Sequence, residues 1–252
     1  QQIADAVRGL ARQIGPPHRL IGALEQLQVP LGEVRDALGI EGMGAEVAKN
    51  FRDKARMKTV LQRAVVPCAR HQRVTSDAEA WSFVDSAGYP VVLKPTSGAG
   101  AKSTFRVADA GEMRAALASV RPSEGRQAVV EEFVVGDEFS FDTVSIRGRP
   151  VWHSLSYYLP APLNVVDNPW IQWCVLIPRE IDHPRFDDIR RVAFRALEVL
   201  GMGTGLSHME WFRKRDASVA VSEVGARPPG AQIVSLISWA HDLDFYRAWA
   251  RL

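Results

Sequence analysis

The sequence predicts an α+β chain, and three observations carry that reading. Three pairs of β-rich runs, around residues 91–107, 138–159 and 205–225, are each joined by a turn too short for a helical crossover, so their strands pair antiparallel. The stretches between these hairpins are helical in pattern and carry start signals: Ser76 with Glu79 three residues on, and Asp109 with Glu112 in the same relation. At 252 residues and 46% hydrophobic, the chain can bury the core of one or two domains.

Taken in order, Gln1–Ile14 has a helical pattern that Gly15-Pro16-Pro17 breaks. His18–Glu25 reads as a strand and about Pro30–Leu38 as a helix, with Gly39, Gly42 and Gly44 as a loose connector. Residues 1–44 are therefore expected to be the remnant of an α/β domain and its linker. Helices follow at Ala45–Asn50 and Asp53–Arg63, then a strand at Ala69–Arg73 and a helix from Ser76 to Ala87. Val91–Leu93 is a buried strand, Thr104–Val107 its partner, and Asp109 caps a helix to Val120. Ala128–Val134, Glu138–Ile146 and Val151–Leu159 are strands, the last two joined through Arg147-Gly148-Arg149-Pro150. The proline-rich segment Leu159–Pro178 reads as a long packed loop, with a substrate lid as the alternative. A helix at Arg185–Leu200, strands at Gly205–Phe212 and Val219–Gly225, and a helical end from Gly230 complete the chain. The opening Gln1 and the uncapped end at Leu252 suggest a piece of a longer protein.

Composition narrows the function. The net charge is +2 with arginines and carboxylates interspersed, which leaves no basic stripe for nucleic acid. No apolar run approaches the ~20 residues that span a bilayer, and no signal-peptide pattern is present. Cys68 and Cys174 lack metal-site spacing and read as reduced, buried thiols, so a cytoplasmic protein is expected. A homodimer is the default oligomer.

Three segments carry chemistry. In Val91-Val-Leu-Lys94-Pro-Thr-Ser97-Gly98-Ala-Gly100-Ala-Lys102-Ser103, small residues let backbone N–H groups crowd an anion that two lysines neutralise. A Walker loop is excluded, because Ala101 precedes Lys102 and a strand follows; a dinucleotide fingerprint fails for want of a third glycine and a helix. The chain has only six lysines, and Lys54, Lys94 and Lys102 fall in or beside these segments. On the acidic hairpin, period-two alternation puts His208, Glu210 and Phe212 on one face and Val219, Val221 and Glu223 likewise on one face. Pairing Glu210 with Val221 or with Glu223 turns both carboxylates the same way, about 5 Å apart if opposite or about 7–8 Å if diagonal. That spacing suits a hard cation such as Mg²⁺. Finally, the strand Ala128–Val134 and its continuation to Glu138 offer backbone groups for an adenine edge and a carboxylate for a ribose.

The order of these motifs from Phe51 to Gly230 resembles the ATP-grasp superfamily of carboxylate–amine (or carboxylate–thiol) ligases, in particular its L-amino acid ligase-like members. The resemblance implies an ATP-grasp fold, two α+β subdomains sandwiching ATP, over residues 45–252. The part 45–134 would include a small ATP-lid subdomain at about 66–131, and 135–252 would be a larger catalytic subdomain that is C-terminally truncated. It implies that Lys54 and Lys94 contact ATP phosphates. It further implies that Ser97, Gly98, Gly100, Lys102 and Ser103 fold over them, that Glu131, Glu132, Phe133 and Val134 lie beside adenine, and that Glu138 binds the ribose. Glu210 and Glu223 would be ligands of Mg²⁺, with Mn²⁺ as a substitute. Arg227 would steady the substrate carboxylate, and His208 would sit near the transferred phosphate. The expected reaction joins a small carboxylate to an amine through an acyl phosphate. The alternatives are a biotin-dependent or other activator of bicarbonate, and a non-catalytic ATP-binding regulatory module. One departure stands out: the family's Glu-x-Asn-x-Arg reads Glu223-Val-Gly225-Ala-Arg227, which removes an amide ligand of one metal.

Overall fold

The computed structural model describes residues 1–97, 103–168 and 170–252, and for Asp167 the backbone alone. Gly98, Gly100 and Lys102 therefore lie outside the described residues. Along the chain run α1 (Gln2–Ile14), α2 (Gln28–Leu38), α3 (Ala45–Arg52), α4 (Lys54–Arg63), β1 (His71–Val74), α5 (Asp77–Ala87), β2 (Val91–Pro95), β3 (Phe105–Val107), α6 (Ala110–Val120) and β4 (Ala128–Glu132). Then come β5 (Gly136–Ile146), β6 (Arg149–Leu159), α7 (Pro162–Asp167), β7 (Cys174–Leu176), α8 (Asp187–Leu200), β8 (Gly205–Lys214), β9 (Val219–Gly225), α9 (Ile233–Ala240) and α10 (Phe245–Trp249).

Among the described residues the strands form two antiparallel sheets, ordered β1-β4-β2-β3 and β7-β6-β5-β8-β9. In the smaller sheet, alternation divides the side chains cleanly. Val91, Leu93, Ala128 and Val130 pack with Phe83, Met113 and Leu117 of α5 and α6 into one core. The intervening Val92, Lys94 and Glu131 turn to the opposite face. Ser76 and Asp109 cap α5 and α6 as expected: Ser76 accepts from Glu79 N, and Asp109 from Gly111 N and Glu112 N. Glu79 and Glu112 reach back one residue further than the simplest capping box, to Thr75 N and Ala108 N.

The larger sheet lays Phe141, Met209, Trp211 and Val224 against Ile189, Leu197 and Leu200 of α8. Phe51, Met57 and Leu61 of α3 and α4 join the same core. Burying side chains of this size stabilises by about 1.5–3 kcal/mol each, which makes this core the rigid base of the molecule. Gly136 opens β5 because a Cβ there would lie 2.4 Å from the Arg213 carbonyl oxygen of β8.

The structure corrects several expectations. His18–Glu25 is not a strand; it is an irregular segment that ends in a 3₁₀ turn, Glu25–Leu27. The α2 residue Arg35 holds it in place, donating to the Leu20 and Met43 carbonyls. The proline-rich segment is not a plain loop: it folds into α7 and the edge strand β7. Cys174 is exposed rather than buried, and Cys68 is half-buried. No helix among the described residues is long and apolar enough to cross a membrane.

Candidate functional site

A cleft of about 760 Å³ opens between the polar face of the small sheet and the outer face of β8 and β9. That volume is within the range of small-molecule and cofactor sites. The start of α4 ties the two sides together. Asp53 caps α4 by accepting from Arg56 N, and its carboxylate also takes Arg73 Nη2 of β1 at 2.8 Å. Lys54 N donates to Thr96 O at 2.8 Å, and Met57 Sδ accepts from Val224 N.

On the small-sheet side, Lys94 and Glu131 are diagonal neighbours on adjacent strands and form a buried ion pair. Lys58 reaches the same carboxylate from α4, its Nζ 2.9 Å from Glu131 Oε2. Burial alone would raise the Glu131 carboxyl, but Lys58 and Lys94 outweigh it and hold the group down at about 2. Burial likewise pulls Lys94 down, and Glu131, with Glu223 behind it, keeps the ammonium above the usual lysine value. The Glu131 side chain thus grips lysines, while Glu132, Phe133, Val134 and Glu138 line the cleft beyond it. Glu132 also pairs with Arg70 at 2.8 Å. Ser97 lines the cleft, whereas Ser103 is exposed with a φ of 59° and its neighbour Thr104 is the lining residue.

On the opposite side, β8 and β9 pair Glu210 directly with Glu223, one of the two registers that alternation allows. A bulge follows at once: Trp211 pairs with Val221, so Ser222 is the extra residue. The bulge turns Val221 into the core beside Trp211, so Val219 and Val221 do not share a face with Glu223 as strict alternation predicts, while both carboxylates face the cleft. Burial and the opposing Glu223 raise the Glu210 carboxyl. Glu223 also feels burial, but Lys54, whose Nζ is 2.6 Å from Glu223 Oε1, and Lys94 lower it. Glu138, on the neighbouring β5, is pushed up to about 8 by burial and by Glu210. Three carboxylates thus crowd one wall, where the lysines hold Glu223 down while Glu138 and Glu210 are raised.

That surplus of hard oxygen donors fits Mg²⁺ or Mn²⁺. No cluster of three or more His, Cys, Asp or Glu in metal-holding arrangement occurs among the described residues. Glu210 and Glu223 would hold the cation, with phosphate oxygens and water as the other ligands.

Two further groups complete the wall. His208 pairs with Asp142 across β5 and β8, its Nδ1 2.7 Å from Asp142 Oδ1 and its Nε2 3.9 Å from Glu210 Oε1. Burial disfavours the imidazolium, yet Asp142 more than offsets this and raises its pKa. Ser140 Oγ donates to the other Asp142 oxygen. Arg227 Nε donates to Glu25 Oε2 at 2.6 Å, and its Nη1 donates to the Pro228 carbonyl. Glu25 is buried and also lies 3.6 Å from Arg52 Nη1. A Cβ on Gly225 would come within 3.3 Å of Glu25 Oε2 and 3.4 Å of Arg227 Cγ. Position 225 is therefore small where the carboxylate of Glu25 comes close.

Lys58, Asp142 and Glu25 went unread in the sequence. Lys58 stands four residues after Lys54, one helical turn along the same face, and in a lysine-poor chain that spacing was a usable signal. Glu25 contacts a residue 202 positions away, and no local pattern marks it.

The chain matches the model of the ATP-grasp domain over residues 59–240. It is 22% identical over 242 residues to the L-arginine-specific L-amino acid ligase of Bacillus subtilis, which covers 94% of this chain and 57% of that protein. It is 24% identical over 208 residues to the D-alanine–D-alanine ligase of Stutzerimonas stutzeri, 81% of this chain and 65% of the relative. Among solved structures, the L-amino acid ligase from Bacillus licheniformis superposes with a TM-score of 0.76 at 23% identity, over 93% of this chain and 55% of that one. The chain thus spans somewhat more than half the length of the relatives it matches. Taken with the two-sheet cleft, the match over residues 59–240 establishes that the chain belongs to the ATP-grasp family.

Proposed function

We propose that this chain is the ATP-binding and catalytic part of a ligase that joins a small carboxylate, an amino acid or a related acid, to an amine. One observation carries the reading: Lys54, Lys94, Glu210, Glu223 and Arg227, drawn from both sides of the fold, line a single cleft. The D-alanine–D-alanine and L-amino acid ligases among its relatives support the same class of reaction. The adenine would lie along Glu132–Val134, with Glu138 at the ribose and the triphosphate running towards Lys54 and Lys94.

The substrate carboxylate oxygen attacks the γ-phosphorus of ATP, the bond to the β-phosphate oxygen breaks, and ADP leaves. The amine nitrogen then adds to the acyl carbon, phosphate departs with its C–O bond electrons, and the nitrogen loses a proton. A bound divalent cation would neutralise the charge gathering on the phosphate oxygens. The protein's own part is positioning and charge. Lys54 and Lys94 would offset the negative charge of the phosphates. Arg227, fixed in orientation by Glu25 and the Pro228 carbonyl, presents a planar fork suited to a carboxylate. His208 is held by Asp142, which favours its imidazolium form beside Glu210.

The test is a coupled ADP-release screen across pairs of amino acids with Mg²⁺ present. Release that requires both an acid and an amine supports the ligase; release driven by bicarbonate alone, or none with any pair, overturns it.

A further inference from the structure

Lys58 lines the same cleft as Lys54 and Lys94, yet it is almost completely buried, at 1% exposure. Its Nζ sits 2.9 Å from one oxygen of Glu131 while Lys94 holds the other. Glu131 is itself 5% exposed, so one buried carboxylate is shared by two buried ammonium groups. A carboxylate in such a place needs one cation at all times, because an unpaired buried charge is strongly disfavoured. It does not need two.

We infer that Lys58 is a positioning residue: the standing counter-ion of Glu131, which frees Lys94 to turn from that carboxylate to a nucleotide phosphate. The inference rests on the ATP-binding reading above. Without Lys58, Lys94 would be the sole partner of Glu131 and would be held by it, so a phosphate would have to compete for the ammonium. With Lys58 in place, Lys94 can leave and Glu131 stays paired. The geometry suits this division. Lys58 comes from α4, whose Met57 and Leu61 are locked in the large core, so its ammonium is delivered from a rigid element. Lys94 is the next-to-last residue of β2, which leads to Ser97 at the cleft edge.

Calorimetric titration of MgATP and of adenosine separates this from simple structural support. Lys58→Met should weaken MgATP binding about tenfold and leave adenosine within about twofold, because only the phosphate contact is affected. Adding Glu131→Gln removes the competitor, so Lys58→Met/Glu131→Gln should bind MgATP within about threefold of Glu131→Gln alone. The KM for ATP should follow the same pattern, with the KM values for acid and amine unchanged. If Lys58→Met does not fold, the comparison of the double variant with Glu131→Gln decides alone, since neither leaves a lone buried carboxylate. A double variant that binds MgATP more than about threefold weaker than Glu131→Gln would mean that Lys58 touches the phosphates itself, and the inference fails. Equal MgATP affinity in Lys58→Met and the parent overturns it as well. Absence of MgATP binding to the parent protein would instead overturn the nucleotide reading beneath it.

Discussion

Replacing Glu131 by Gln probes the charge balance at the floor of the cleft. The carboxyl is held at about 2 against an ordinary 4.5, because two lysines outweigh the cost of burial. That depression corresponds to about 3 kcal/mol at neutral pH, at roughly 1.4 kcal/mol for each tenfold change in proton affinity. A carboxylate with a lowered pKa contributes above its unfolded value and loses that contribution as pH falls towards the folded value. The contribution should therefore be whole at pH 7, about half or less at pH 3, and absent below 2. Glu131→Gln keeps the shape but leaves Lys58 and Lys94 without their anion. Urea unfolding at pH 7 should show the variant about 3 kcal/mol less stable, a fall in melting temperature of roughly 6–12 °C for a chain of this size. At pH 3 the gap should shrink to about 1.4 kcal/mol, since the carboxyl of the unfolded chain is by then mostly protonated while that of the folded chain is still mostly ionised. A gap that stays constant from pH 7 to pH 3 would refute the argument, because it would mean that ionisation of Glu131 contributes nothing.

Glu223→Ala should cut ADP formation by about a hundredfold or more while some nucleotide affinity remains, as for loss of a charge-stabilising group; undiminished turnover would remove Glu223 from the metal site. Glu138, raised to about 8, contributes most below about 4.5 and loses that contribution as pH climbs through 8. Glu138→Gln should therefore lose less thermal stability than the parent between pH 5 and 9, and parallel melting curves would contradict the crowding of carboxylates described for that wall. Gly225→Asn, although closer to the usual family motif, should push Glu25 from Arg227 and raise the KM for the carboxylate substrate several-fold, with a fall of about 1 kcal/mol in stability from overpacking. Unchanged kinetics and melting in that variant would show that the carboxylate is not what limits position 225.

Legibility in the sequence followed the range of the forces involved. Lys94 on its strand, the capped helices after Ser76 and Asp109, and the alternation that turns Glu210 and Glu223 to one side are all set by residues within a few positions of one another. The local pattern therefore reported them. The choice between the two candidate registers of the acidic hairpin was not local. It depends on the bulge after Glu210, which leaves Ser222 as an extra residue and turns Val221 into the core beside Trp211. His18–Glu25 looked like a strand because its apolar residues are dense enough, yet no strand among the described residues pairs with it; Arg35 and Gln28 take up its carbonyls instead. The partner of Glu131 was missed because a lysine on a helix is ordinarily solvated, and only the packing of α4 under β4 makes Lys58 an interior charge.

The clasp between Glu25 and Arg227 bears on where this protein can be cut. A boundary at residue 44 looks natural, since it falls in a glycine-containing connector ahead of α3. A chain begun at Ala45 would nonetheless discard the acid that orients Arg227 and flanks Gly225, while losing only the partly buried Met43 from the two cores described above. Such a fragment should fold, bind nucleotide and still handle its acid substrate poorly. Ala23, Leu24, Glu25 and Gln26 are in this sense part of the cleft's wall, and on the proposed ligase reading, swapping their segment between relatives would redirect which acid is accepted.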